Sequence, residues 1–430
     1  MPIKIDRAAL LQALQTDAEL NYKLRGLSAV LRIEVGEDRF DLRVVAGQVC
    51  EIAPCDAPGE TTPDVCIAGP SAFWEKALTS MPPRSYENLV TSRIHGVRVE
   101  GDFVRLLAPY QGALQRLLVV MRQAVAGYVA PVVGSTEPYR ETDNAVGRYI
   151  FVRCGEQEAR VYYEETGTGP VTMVMQHTAG ADSRQYRHVL ANPEFQKRFR
   201  MIAWDLPYHG RSMPPSGVRW WEQHYTPSKE SLMGWTMAIS EALGLDRPVY
   251  MGCSVGGQLA LDLAAHHGDS FRAFVALNGW YEIVSRGPYN NDIHREPSTS
   301  SDYFASLILA ATAPGAPEAH SQEVYWVYRS NVPGVYAGDN DYFMNQHDLR
   351  VDGHLINAKA TPVYVVTGEY DGSTVFPDHG GSTVARHVPG VVYRELPVLG
   401  HFAPSDDPVR FCESVLPILD EILARCAAAA

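Results

Sequence analysis

Between Val30 and Ile52 apolar and polar positions alternate: Leu31, Ile33 and Val35, a polar turn at GEDR, then Phe40, Leu42 and Val44, a turn at AGQ, then Val49. A period of two marks a strand with one buried face, so this segment is read as an antiparallel meander. DVCIAG adds a short strand, SAFWEKALTSM a helix, and GVRVEGDFVRLL a further strand pair. Beyond residue 148 the pattern changes. VTMVMQH, RMIAWDL, PVYMGCS, AFVALNG and TPVYVVTGEYD are apolar, β-branched runs that end in polar or Gly residues, with helix-like segments between them. Strands that are apolar on both faces and alternate with helices predict a parallel sheet covered on both sides. The intervening AGYVAPVVGSTEPYRETDNAVG carries Pro and Gly and no periodicity. The chain is therefore divided into a smaller α+β domain over 1–125, a linker over 126–147 and an α/β domain over 148–430.

A length of 430 residues suits two domains, each large enough to bury its own core. Acidic residues outnumber basic ones by 50 to 37, giving a formal net charge of -13. With no Lys/Arg-rich run to track a phosphate backbone, nucleic acid is excluded as the expected partner. Asp6, Gln12 and Asp17 interrupt the first segment, unlike a signal peptide, and no apolar run reads as a membrane span. The seven cysteines form no C-x-x-C pair, which suits free thiols in a reducing compartment, and the expected location is the cytoplasm.

The stretch VYMGCSVGGQLALDL, residues 249–263, runs from a buried strand directly into a helix with Ser254 at the junction. In a G-x-S-x-G turn the flanking positions, here Gly252 and Gly256, must be small because the two backbones cross closely. The turn lifts the hydroxyl beyond the end of the sheet, where the following helix aims its N-terminal amides. A neutral hydroxyl is a poor nucleophile and needs a base, which in turn needs an acid to orient it. Asp371 follows the strand PVYVVTG, and His401 lies in the loop PVLGHF after VVYREL.

Four motifs occur in order: QHTAG at 176–180, DLPYHGRS at 205–212, GCSVGG at 252–257, and TGEYD at 367–371 with GHF at 400–402. On these, residues 148–425 resemble the α/β-hydrolase superfamily. The resemblance implies an α/β-hydrolase fold, a mostly parallel sheet flanked by helices, with an inserted helical cap over about 281–358. It further implies Ser254 as nucleophile, His401 as general base and then acid, Asp371 as the carboxylate that fixes the His401 tautomer, and the Val255 amide as one oxyanion donor. The second donor should come from the loop after VTMVM. There Thr178 stands where the superfamily commonly has Gly, so the Ala179 amide is the expected donor and Thr178 the alternate. Tyr208 also takes a position where Gly is common, which adds bulk at the mouth of the site. Upstream, the FDLRV hairpin, the D-x-x-I strand leading into a helix and the late V-x-V-E-G-D turn are similar to sterol-carrier-like domains over residues 15–125. That similarity implies an apolar tunnel or groove for a lipid; a filled packing module that makes a homodimer is the other reading.

His177 and His209 lie in motifs but are read as loop braces, Cys253 as a packed thiol, and Glu369 as a solvated or ion-paired carboxylate. In the Tyr-rich insertion, Tyr325, Trp326 and Tyr328 span one helical turn, so at least one is expected to join Tyr208 in the substrate pocket. Asp339, Asp341 and His347 in GDNDYFMNQHD match neither an EF-hand loop nor an H-x-x-x-H pair; a polar loop without a metal is expected. No cofactor is implied. The expected function is serine-dependent hydrolysis of an ester, lactone or thioester of a small to medium apolar or aromatic molecule through an acyl-enzyme on Ser254. An amidase, a C–C bond hydrolase or an acyltransferase would use the same residues, and a non-catalytic ligand-binding protein on this fold is the reading from another class.

Overall fold

The computed structural model describes residues 5–55, 62–127, 143–283, 291–296 and 299–428, so most of the 126–147 linker lies outside the described residues. The chain forms two compact units, Met1–Pro131 with Asp302–Gly315, and Val132–Ser301 with Ala316–Ala430.

In the first unit the alternating segment forms β1 (Ala29–Val35), β2 (Asp38–Val45) and β3 (Gln48–Pro54), joined by β4 (Val65–Gly69) and β5 (Arg98–Gly101) in the order β3-β2-β1-β4-β5. The register Leu31↔Leu42 and Ile33↔Phe40 brings the apolar residues of β1 and β2 to one face. They bury there with Leu10 and Leu14 of helix Arg7–Thr16 and Leu114, Leu117 and Leu118 of helix Gln111–Ala126. β4 pairs with β1 in parallel, and the helix Ser71–Ala77 that follows is pinned by the Trp74 indole N–H on the Glu34 carbonyl at 2.9 Å. The expected strand pair in GVRVEGDFVRLL is half realised. Its second half, Phe103–Leu107, is a π-helical turn, because Asp102 accepts from the Arg105 amide at 2.9 Å and starts a helical turn after β5. Tyr303 of helix Ser301–Leu309 meets Phe103 edge to face, with ring centres 6.0 Å apart, so the inserted segment 302–315 belongs with this unit and not with the rest of the cap.

The second unit holds β6 (Val146–Cys154), β7 (Gln157–Thr166), β8 (Val171–Gln176), β9 (Phe199–Trp204), β10 (Val249–Cys253), β11 (Ala273–Leu277), β12 (Val363–Gly368) and β13 (Val392–Leu396). Among the described residues these form one sheet in the order β13-β12-β11-β10-β8-β9-β7-β6. β8 to β13 run parallel, as the apolar runs predict, and the β6–β7 hairpin adds an antiparallel edge. The hairpin escapes the sequence pattern because β6 is largely exposed and so lacks the apolar signature of its neighbours. Neighbouring residues of β8 and β10 belong to different cores. Val174 and Tyr250 join Trp204 and Leu259, while Met173, Met175 and Met251 join Phe411, Val415 and Leu419 of the last helix, Pro408–Ala428. Both faces are therefore buried, and a continuous apolar strand is the physical requirement. This sheet and its helices carry the α/β-hydrolase architecture. Among the described residues no helix is long and apolar enough to cross a membrane.

Between β11 and β12 the chain leaves the sheet and forms, within this unit, Asn291–Arg295, Glu318–Arg329, Pro333–Asn345 and Leu349–Asp352. The segment expected as a polar loop around Asp339 is mostly helix. Pro333 sits in its first turn, where a missing amide costs nothing, and Gly338 lies close to the Tyr225 backbone.

Candidate active site

β10 ends at Cys253 and helix Val255–His266 begins at the next residue but one, so Ser254 must make the whole change of direction. It does so at φ 57, ψ -112, a conformation that costs an L-residue about 1–3 kcal/mol. The crossing leaves no room for a side chain on either flank. A Cβ on Gly252 would stand 2.2 Å from the Gly256 carbonyl oxygen, and one on Gly256 would stand 2.6 Å from that of Gln176. The Ser254 amide donates to the Leu277 carbonyl at 2.8 Å, which ties the turn to β11.

Asp371 lies just beyond β12 and is buried. One carboxylate oxygen accepts the Ser373 amide at 2.8 Å, and the other is hydrogen-bonded to His401 Nδ1. The His401 carbonyl accepts the Asn278 side-chain amide at 2.7 Å and the Cys253 thiol at 3.2 Å. The histidine loop is thus fastened to the residue that precedes Ser254. Burial pushes the Cys253 thiol far up, so it stays a protonated donor. Glu369 accepts the Val398 amide at 2.8 Å and steadies that residue, which is held at φ 64. Asn278 escaped the sequence reading. It sits at φ 52 just past β11 and also accepts the Gly368 amide at 2.9 Å, so one side chain links the ends of β11 and β12 to the His401 loop. The only sequence signal for it is an Asn–Gly pair closing an apolar run.

In the loop after β8, the Thr178 amide donates to the Gln185 side chain at 2.8 Å and the Gly180 amide to Asp339 Oδ2 at 2.8 Å. The amide between them, of Ala179, has no hydrogen-bond partner among the described residues. At the start of its helix the Val255 amide likewise has no intrahelical acceptor. Thr178 is therefore corrected as an alternate donor: its amide is taken, and its hydroxyl is bonded to the Tyr328 hydroxyl. Asp339 is fully buried and also meets His209 Nε2 at 2.8 Å and the Tyr225 hydroxyl at 3.2 Å. Since His209 Nδ1 faces the Pro207 carbonyl at 3.0 Å, both of its nitrogens face acceptors. Burial works against its charge, but Asp339 prevails and raises its pKa, so His209 is an imidazolium. His177 is its opposite. The Leu206 amide donates to Nε2 at 3.2 Å, Nδ1 faces the Thr178 carbonyl, and burial together with His209 pushes the pKa down to about 4. Both histidines brace loops.

The aromatic triplet of helix Glu318–Arg329 divides. Tyr328 is buried against Phe402, with ring centres 5.5 Å apart, and Tyr325 is half-buried. Trp326 is 61% exposed and is corrected as a pocket residue, because its direction on the helix is set by Val324 and Val327, which turn inward. Tyr208, at φ 76, lies tilted against Tyr225 with ring centres 4.5 Å apart and lines an open hollow of about 320 Å³ with Leu206, Pro207 and Trp235; neither Ser254 nor His401 belongs to that wall. Asp341 pairs with Arg295, and His347 sits between Asp262 Oδ1 at 3.0 Å and the Trp280 carbonyl at 2.8 Å. Asp339, Asp341 and His347 thus bond to three different sets of partners.

The family model described as alpha/beta hydrolase fold matches residues 171–408. Haloalkane dehalogenase 2 of Mycobacterium tuberculosis (strain ATCC 25618 / H37Rv) is 30% identical over 289 residues, which cover 60% of this chain and 90% of that protein. A 2-hydroxy-6-oxononadienedioate/2-hydroxy-6-oxononatrienedioate hydrolase of Paraburkholderia phymatum is 27% identical over 147 residues, 34% of this chain and about half, 48%, of its own length. Among solved structures, the enol-lactonase from Burkholderia xenovorans LB400 superposes with a TM-score of 0.52 at 19% identity, covering 64% of this chain and 100% of that one, a likeness of fold.

Proposed function

Because this chain belongs to the α/β-hydrolase family, we propose that it hydrolyses a carboxylic ester, lactone or thioester through an acyl-enzyme on Ser254. The observation that carries this reading is the strained Ser254 turn, with an aspartate-bonded histidine whose backbone is tied to the residue before it. His401 takes the hydroxyl proton as Ser254 attacks the carbonyl, and Asp371 holds the imidazole with Nε2 free to do so. The unpartnered amides of Ala179 and Val255 supply the oxyanion donors, each worth about 10²- to 10³-fold in rate. His401 then returns the proton to the leaving alcohol or thiol, and water repeats the sequence on the acyl-serine.

Dehalogenation does not carry over from the mycobacterial relative. A serine alkoxide that displaced halide from an alkyl carbon would leave an ether on Ser254, with no carbonyl for water to attack, and turnover would stop after one event. C–C bond hydrolysis is the second reading, favoured by the match to the nonadienedioate hydrolase, since a ketone can also be attacked by the serine with a stabilised carbanion leaving. A fluorophosphonate probe and a panel of an activated ester, a lactone, a thioester and a cleavable diketone test both. Labelling that is lost in Ser254→Ala, with turnover of one of the first three, is the expected result. Turnover of the diketone alone moves the assignment to the second reading, and an unlabelled, inert protein leaves a ligand-binding role on this fold.

A further inference from the structure

Away from Ser254, a second group of polar side chains joins the cap to the core. His188 lies on the short helix Arg187–Leu190, and His320 and Glu323 lie three residues apart on one face of Glu318–Arg329. Each offers one ligand atom, and the three atoms lie within 4.8 Å of one another. His188 Nε2 stands 2.7 Å from Glu323 Oε2, and the two imidazole rings are 4.8 Å apart, centre to centre. His320 is buried to all but 8%, yet its Nδ1 has no hydrogen-bond partner among the described residues. A buried imidazole with an unused ring nitrogen, packed beside a second imidazole and a carboxylate, is costly as a neutral packing element and well suited as a ligand.

We propose that His188, His320 and Glu323 form a divalent-metal site of zinc type that staples the cap helix Glu318–Arg329 to the helix Arg187–Leu190. Two imidazoles and one carboxylate, with water in the fourth position, are a tetrahedral zinc set. At zinc–ligand distances of about 2.0–2.2 Å the ligand atoms of such a site stand roughly 3.3 Å apart. His188 and Glu323 must therefore open slightly from their present contact, and both side chains are partly exposed and can do so. The metal takes the place of the hydrogen between His188 Nε2 and Glu323, and the neutral imidazole that ligates it carries its N–H on Nδ1. The group that opposes the ion is Arg187, whose guanidinium bonds Glu323 and approaches His188 Nε2 at 3.2 Å; its side chain is half-exposed and must swing aside. Asp407, buried nearby, supplies negative charge that favours a cation beside His320.

The test uses the full chain, stripped with chelator and dialysed against buffered Zn²⁺, with bound metal measured directly and the melting temperature read in parallel. One zinc per chain and a raised melting temperature are expected. His188→Gln and His320→Gln should each weaken binding by about tenfold or more. Arg187→Gln should tighten it several-fold, an outcome that distinguishes a metal site from a plain ion-pair network, which this substitution can only weaken. Co²⁺ substituted into the site should give the intense visible bands of tetrahedral coordination. His188→Gln changes a partly exposed residue and keeps the test meaningful if His320→Gln melts early. Absence of stoichiometric zinc, or zinc held equally well by His188→Gln, would overturn the proposal.

Discussion

Asp339 concentrates three partners on one buried carboxylate: the Gly180 amide, His209 and Tyr225. It reaches from the cap into the loop that carries the free Ala179 amide, so it acts as a positioning residue. Asp339→Asn keeps the shape and removes the charge, which strands a buried imidazolium on His209 at a cost of about 3–5 kcal/mol. The folded pKa of His209 is raised above its unfolded value, so the stability from this pair is fully present below about pH 6.5 and is lost as pH rises through the folded pKa. The difference in urea midpoint between wild type and Asp339→Asn should accordingly be largest in mild acid and shrink at alkaline pH; a constant difference would disprove the ionic account. Asn278→Ala leaves the buried Gly368 amide without its partner, a loss worth about 1–3 kcal/mol, and leaves the His401 carbonyl with the weaker Cys253 thiol alone. It should lower the denaturation midpoint and kcat together, because the same side chain sets the positions of Gly368 and His401. A variant with reduced stability and unaltered kcat would restrict Asn278 to packing.

At the scale of elements, the cap helix Glu318–Arg329 shows why spacing alone could not choose among its aromatics. Residues 325 and 328, three apart, lie about 60° from each other around a helix, whereas 326 points about 100° from one and about 160° from the other, so the three cannot all turn inward, and neighbours in three dimensions decide which do. Tyr328 does, and meets Thr178 and Phe402; Trp326 does not. Tyr328→Phe removes one hydrogen bond and should reduce kcat/KM on a small ester by about two- to tenfold. Trp326→Ala should leave both kcat/KM and stability within about 0.5 kcal/mol of wild type. If the two variants behave alike, the helix presents a different face to the site in solution. The strand-to-helix turn is the most legible element of the chain, because the crossing of two backbones admits no residue but Gly at 252 and 256, and that demand is written directly into the sequence.

For the whole molecule, the two compact units do not follow the chain in simple succession, since 302–315 returns to the first. Tyr303, Phe304 and Ile308 of that segment are buried. A protein beginning near Glu141 would therefore uncover an apolar helix face in the middle of its cap, and it should aggregate or melt well below the full chain. Light scattering and a thermal melt check this; a monodisperse fragment with an unchanged melting temperature would refute it.

What the sequence by itself determined is what local geometry and burial force on composition. Strands buried on two faces had to be apolar throughout, the meander with one buried face had to alternate, and a serine at an abrupt turn had to stand between glycines. The order of Ser254, Asp371 and His401 followed from those strand ends. Only the tertiary structure decided which long-range groups meet, because pairs such as Asp339 with Gly180, Asn278 with His401, or His188 with Glu323 bring together residues from separate elements whose identities are unremarkable in their own segments. A hydrogen bond across 159 or 123 positions leaves no period in the chain. The return of 302–315 to the first unit was hidden for the same reason: an apolar helix face records that it is buried, and only folding decides against what.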